Sequence, residues 1–113
     1  MTASQHKIEL LKWEGCPSWP ETLEDLRAAA REAGFDPDEI EVREVGTEAD
    51  AEREEFVGSP TIRLDGRDVL PPGEDEPVGL TCRIYRLRDG RVSPTPDPDD
   101  LREALAQAIP ERS

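Results

Sequence analysis

Ile8-Glu9-Leu10-Leu11-Lys12-Trp13-Glu14-Gly15-Cys16-Pro17-Ser18-Trp19-Pro20 is the stretch on which the reading of the chain turns. Apolar Ile8, Leu10, Leu11 and Trp13, cut off by Gly15, predict a buried strand over Lys7–Trp13. A cysteine follows, and then a helix start. Ser18 with Glu21, and Thr22 with Asp25, have capping-box spacing, and proline is tolerated in a first helical turn. These signals place the helix start between Pro17 and Thr22. Its stripe of Leu23, Leu26, Ala30 and Ala33 has a helical period, and Gly34 ends it.

Outward from there, Phe35–Asp38 reads as a connector. Ile40, Val42 and Val45 alternate with charges, which predicts a second strand nearer an edge of the sheet. Thr47 caps a short charged helix over Glu48–Phe56, with Ala49, Ala51 and Phe56 as its core candidates. Thr61–Leu64, the Asp65-Gly66 turn and Arg67–Leu70 predict a hairpin, since Asp-Gly between alternating residues favours the tight turn that hairpins need. Pro71–Pro77 is an acidic loop. Leu80–Leu87 alternates, with Leu80, Cys82, Ile84 and Tyr85 set against Thr81, Arg83 and Arg86, and reads as a strand ended by Asp89-Gly90. Ser93–Pro98 is a proline-rich connector. Asp97 or Asp99 opens a last helix with the stripe Leu101, Leu105, Ala108 and Ile109.

The chain has 113 residues, a length suited to one domain, 1–113, with a flexible start at 1–6 and a loop-rich insertion at 71–98. Apolar residues make up 35% and charged residues 36%, so the core must be lean. The net charge of −13, from 27 acidic and 14 basic residues, repels phosphate backbones and anionic lipid. Neither nucleic acid nor membrane is therefore expected as a partner. With no long apolar run and no signal pattern, the expected location is the cytoplasm. Two cysteines there are not a disulfide scaffold. They are reduced thiols, a transient redox pair, or a metal or metalloid site.

The order β-α-β-α-β-β, then an extra segment, then α, resembles the thioredoxin fold. This is an α/β class with a central mixed four-stranded sheet flanked by helices, here with an insertion before the C-terminal helix. Cys16 directly follows the first strand, where thioredoxins carry their nucleophile. Gly58-Ser59-Pro60-Thr61 directly precedes the hairpin, where that superfamily carries a cis-proline. Dithiol members use Cys-x-x-Cys, whereas Cys16-Pro17-Ser18-Trp19 has Trp19 at the resolving position. The chain is also similar to small bacterial proteins labelled thioredoxin family, some of which are labelled alkylmercury lyase.

The resemblance implies a thiol-disulfide oxidoreductase with Cys16 as nucleophile, resolved by Cys82 or by a small thiol such as glutathione or mycothiol. Its substrate would be a protein or small-molecule thiol or disulfide, and it needs no cofactor and no metal. Trp13, Pro17, Ser18, Trp19, Ser59 and Pro60 would form the substrate site. The sulfur is expected to face outward at the top of the first helix, beside Pro60. A helix N-terminus favours thiolate, while Glu14 and Glu21 oppose it, with Lys12 the nearest base. The other reading of Cys16 is a small buried residue at the strand–helix junction. Pro60 is either a cis residue with the Ser59 backbone open to an extended substrate, or an ordinary trans proline. Cys82 either resolves Cys16, which needs Cα atoms within about 7 Å, or is a core residue on the inward face with Leu80 and Ile84. Trp13 and Trp19 form a lid or pack in the core. His6 with the two thiols lacks metal-site spacing. Arg83 and Arg86 hold an anion or are solvated. Two other functions stand beside exchange: a non-catalytic protein-binding module, and organomercurial cleavage or soft-metal binding by converging thiolates.

Overall fold

The computed structural model describes residues 7–70, 78–81 and 83–107. The elements run β1 Ile8–Lys12, α1 Trp19–Ala33, β2 Glu41–Glu44, α2 Glu48–Glu54, β3 Thr61–Leu64, β4 Arg67–Asp68, β5 Tyr85–Arg86, β6 Val92–Ser93 and α3 Pro98–Gln107. A single 3-10 turn, Pro37–Glu39, joins α1 to β2. The expectations for His6, for the loop Pro71–Pro77, for Cys82, and for Ala108 and Ile109 fall outside the described residues.

Four strands form a mixed sheet in the order β2-β1-β3-β4, with β1 parallel to β2, and β3 antiparallel to both β1 and β4. The second strand is at the edge, as its charged alternation implied. Side chains alternate across β1, so the sheet sorts the core into two layers. Ile8 and Leu10, with Ile62 and Leu64 of β3, meet Leu26, Ala29 and Ala30 of α1 and Leu101 and Leu105 of α3. On the opposite face Leu11 meets Val45, Ala51 and Phe56. Glu9 shares that second face and is buried, with Arg43 at 2.9 Å. Arg43 and Arg63 both reach Glu54 of α2, which ties that short helix to the sheet by charge as well as by Phe56.

Helix α1 ends where glycine allows it. Gly34 takes φ +95°, its N–H reaches the Arg31 carbonyl, and the Phe35 N–H reaches Ala30. This double closure needs a left-handed residue, and Phe35 then packs back on the larger cluster. Thr47 caps α2 by accepting from the Asp50 N–H at 3.0 Å. Ala49, expected in the core, is exposed; α2 turns only Ala51 inward, and Phe56 follows it. The Asp65-Gly66 hairpin forms, with both turn residues at positive φ. Leu26 is fully buried between sheet and helices. Leu26→Ala is expected to lower unfolding stability by about 2–5 kcal/mol, read as a shift of the urea midpoint without a change of slope.

The stretch 80–87 departs from its expected strand. Among its described residues only Tyr85–Arg86 form a strand, paired with Val92–Ser93 in a hairpin around Gly90 at φ +95°. Its faces differ from the expectation at two residues: Arg83, expected outward, is buried, and Ile84, expected inward, is 70% exposed, whereas Tyr85 is buried and Leu80 packs on the smaller cluster as expected. The inward side of this stretch thus includes a cation and a phenol, for which Asp68 and the neighbouring backbone supply partners. No helix among the described residues is long and apolar enough to cross a membrane.

Candidate functional site

Sheet register brings the cysteine and the proline turn together. Leu11 pairs with Thr61, so the residues after β1 and those before β3 leave the sheet at the same end. The chain turns back at once, with the Cys16 N–H on the Trp13 carbonyl at 3.0 Å. Gly15 lets the Trp13 ring lie against this turn, because a Cβ there would stand 2.5 Å from the ring and displace it. The Cys16 thiol donates to the Ser59 carbonyl at 3.4 Å, and the Ser59–Pro60 peptide bond is cis.

Ser18 stands at the N-cap of α1 but makes no cap hydrogen bond. Its hydroxyl lies 3.1 Å from the Cys16 sulfur instead, and Thr22 donates to the Ser18 carbonyl. Neither capping box of α1 forms. A carbonyl oxygen only accepts, so the Ser59 contact suits the protonated thiol, whereas the Ser18 hydroxyl can also donate to sulfur. Lys12 is not aimed at the thiol. Its ammonium lies 4.6 Å from the centre of the Trp19 ring and 3.6 Å from Glu44. Trp13 and Trp19 are both half-buried, packed respectively on the smaller and the larger cluster, and Pro17 is exposed.

The outward sulfur is not found. Cys16 is 0% exposed, and Ser59 and Pro60 are buried with it. A cover lies along Ser59. The Ser59 N–H donates to the Thr81 carbonyl at 2.8 Å, and the Arg83 N–H donates to the Ser59 carbonyl at 2.9 Å. Both groups of Ser59 that were expected to be open to a substrate are therefore occupied by the chain itself. Cys82 lies outside the described residues, but its neighbours on both sides are bonded to Ser59.

Side chains fasten the same cover. The Arg83 guanidinium is 4% exposed and donates to Asp68 at 2.8 Å, to the Leu70 carbonyl and to the Thr61 hydroxyl. It also lies over the Tyr85 ring at 4.6 Å, and the Tyr85 hydroxyl donates to the Pro60 carbonyl at 2.5 Å. Burial pushes the Asp68 carboxyl above its ordinary range, with Arg83 pulling it back, and burial pushes the Tyr85 phenol up. Arg83 is thus a structural cation and not a solvated one, while Arg86 is exposed and reaches only Gly90.

Sequence reading missed Asp68, Thr81, Arg83 and Tyr85 as parts of this region. The available signal was the shared parity of Arg83 and Tyr85, which places a cation beside a ring on one side of an extended chain. Among the described residues no group of three or more His, Cys, Asp or Glu could hold a metal ion. Compared with family models, with curated proteins and with solved structures, the chain matches none.

Proposed function

We propose that the chain is a thioredoxin-like protein of thiol–disulfide exchange with Cys16 as its nucleophile. One observation carries this reading: the Cys16 sulfur lies at the N-terminal end of α1, 3.4 Å from the carbonyl of the residue preceding Pro60. The sheet order β2-β1-β3-β4, with α1 between β1 and β2, supports the same reading. In the exchange the Cys16 thiolate attacks one sulfur of a substrate disulfide. A mixed disulfide forms and the other substrate sulfur leaves as thiolate. Cys82 or a small thiol then attacks the Cys16 sulfur, releasing the second substrate thiol. In the small-thiol case a second small thiol attacks the mixed disulfide left on Cys16, forming the small-thiol disulfide and freeing Cys16. The protein, or the pair of small thiols, is oxidised by two electrons and the substrate disulfide is reduced. The location proposed for this chemistry is the cytoplasm, where reduced thiols are maintained.

The test is reduction of a model disulfide by the purified, reduced chain. Cys16→Ser is expected to abolish turnover while retaining the far-UV dichroism of the parent. Equal turnover by the two proteins would overturn the proposal. A second reading, a binding module without catalysis, is favoured by the complete burial of Cys16. It predicts no disulfide reduction under any reducing condition.

A further inference from the structure

The Ser59 backbone presents one donor and one acceptor, and both are paired in antiparallel fashion with Thr81 and Arg83. An extended polypeptide bound by strand addition would need these same two groups. The stretch that fills them is not part of the four-stranded sheet. Among the described residues it is held by those two bonds, by the Gly79 N–H on the Phe56 carbonyl at 3.0 Å, by Leu80 packed half-buried on the smaller cluster, and by the Arg83 and Tyr85 side chains. Its outer side carries exposed Thr81 and Ile84. It can therefore lift without breaking a strand pair of the main sheet. The Cys16 thiol and the Arg83 N–H meet on one carbonyl, so the stretch runs beside the sulfur.

We propose that the part of the chain bearing Thr81, Arg83 and Tyr85 is a self-supplied strand that occupies the place of an extended polypeptide substrate. The Arg83 fork on Asp68, Leu70 and Thr61 is its latch, and release of the latch governs how often the Cys16 thiol is open to reaction. This inference rests on the thiol reading given above for the identity of the site. It adds that the resting protein is closed, and that its proper ligand is an extended peptide able to replace two backbone hydrogen bonds.

The experiment is alkylation of the reduced full-length chain by iodoacetamide, followed at the Cys16-containing peptide by mass spectrometry, at urea concentrations below the unfolding transition. Arg83→Lys keeps the charge but loses the fork, and Tyr85→Phe removes the hydroxyl that bonds Pro60 and meets Arg83. Each is expected to speed Cys16 alkylation about tenfold at unchanged dichroism, the size expected for loss of one buried hydrogen bond. In the parent, the rate should depend on urea far more weakly than global unfolding does, as local opening requires. Unchanged rates in both variants would overturn the proposal. So would a parent rate equal to that of a small model thiol, or a urea slope equal to that of global unfolding. If one variant fails to fold, the other and the parent slope still decide. Faster alkylation without disulfide reduction would remove the exchange reading and leave the latch standing; disulfide reduction with no change in alkylation would do the reverse.

Discussion

Arg83→Met is expected to lower the unfolding free energy by about 3–5 kcal/mol, because it breaks a buried ion pair by removing one partner. The guanidinium is almost fully buried and joins β4, the Leu70 carbonyl and the Thr61 hydroxyl in one fork. Methionine fills comparable volume, so the loss is chiefly electrostatic: Asp68 is left half-buried without its directly bonded cation, with only the weaker field of Arg63 beside it. The pair is a cycle that can be measured. Asp68→Asn combined with Arg83→Met should cost less than the two single changes added together, because the double variant buries no uncompensated charge. Urea unfolding followed by dichroism reads all three.

The pH dependence has a definite sign. The Asp68 pKa is raised in the folded protein, chiefly by burial, so the folded state binds a proton more readily than the unfolded chain. Stability from this group therefore rises as pH falls from above the shifted pKa towards the ordinary carboxylate value, and is lost again as pH rises. Without Arg83 the largest opposing pull is lost, leaving the Leu70 N–H and Arg63, and the window extends upward. The Arg83→Met protein should recover more stability on mild acidification from neutral pH than the parent does. Equal responses of parent and variant would remove Arg83 as the group that holds Asp68 charged.

Gly58→Ala should be comparably severe. Gly58 has φ +139°, where side-chain-bearing residues are strained by about 1–3 kcal/mol. A Cβ there would also stand 2.8 Å from Arg83 Cα and 2.9 Å from both Arg83 Cβ and N. Backbone cannot yield as a flexible side-chain tip does, so overpacking adds a further cost of about 1–3 kcal/mol. The two effects differ in where they act. Strain lowers overall stability, whereas the overlap pushes away the very stretch that bonds Ser59. Hydrogen exchange should therefore show lost protection at the Ser59 and Arg83 amides beyond any loss in α1 and α3. Uniform loss across the fold would mean that backbone strain alone accounts for the damage.

Much of the architecture was legible because its signals are local. Thr47 before Asp50, Asp65-Gly66 between alternating residues, and Gly34 after a helical stripe each act within a few residues, and each element formed where those signals stand. The approach of Cys16 to Ser59 could be read because it follows from the order of the elements. The burial of Arg83 and the exposure of Ile84 could not, and for Cys16 a buried and an outward sulfur were both consistent with the residues. Alternation in 80–87 offers two faces, and apolar Leu80 and Ile84 argue for one of them. Arg83 turned inward beside Tyr85, and Ile84 outward, because Asp68 and the carbonyls of Pro60 and Leu70, more than ten residues away, supply partners that make a buried cation and phenol tolerable. Ser18 holds the N-cap position that its spacing marks but not the cap bond. Its spacing to Glu21 describes a cap, but the nearer sulfur takes the hydroxyl.

That borrowed hydroxyl links sulfur chemistry to backbone order. While Ser18 attends Cys16, the opening turn of α1 lacks the side-chain cap that its sequence encodes. A sulfur drawn off into a covalent adduct would return the hydroxyl to the Glu21 N–H, a gain of about 1 kcal/mol for the helix. The first turn of α1 would then tighten as the cysteine becomes modified, and its amide signals would serve as a native gauge of how much of the protein is in the adduct form.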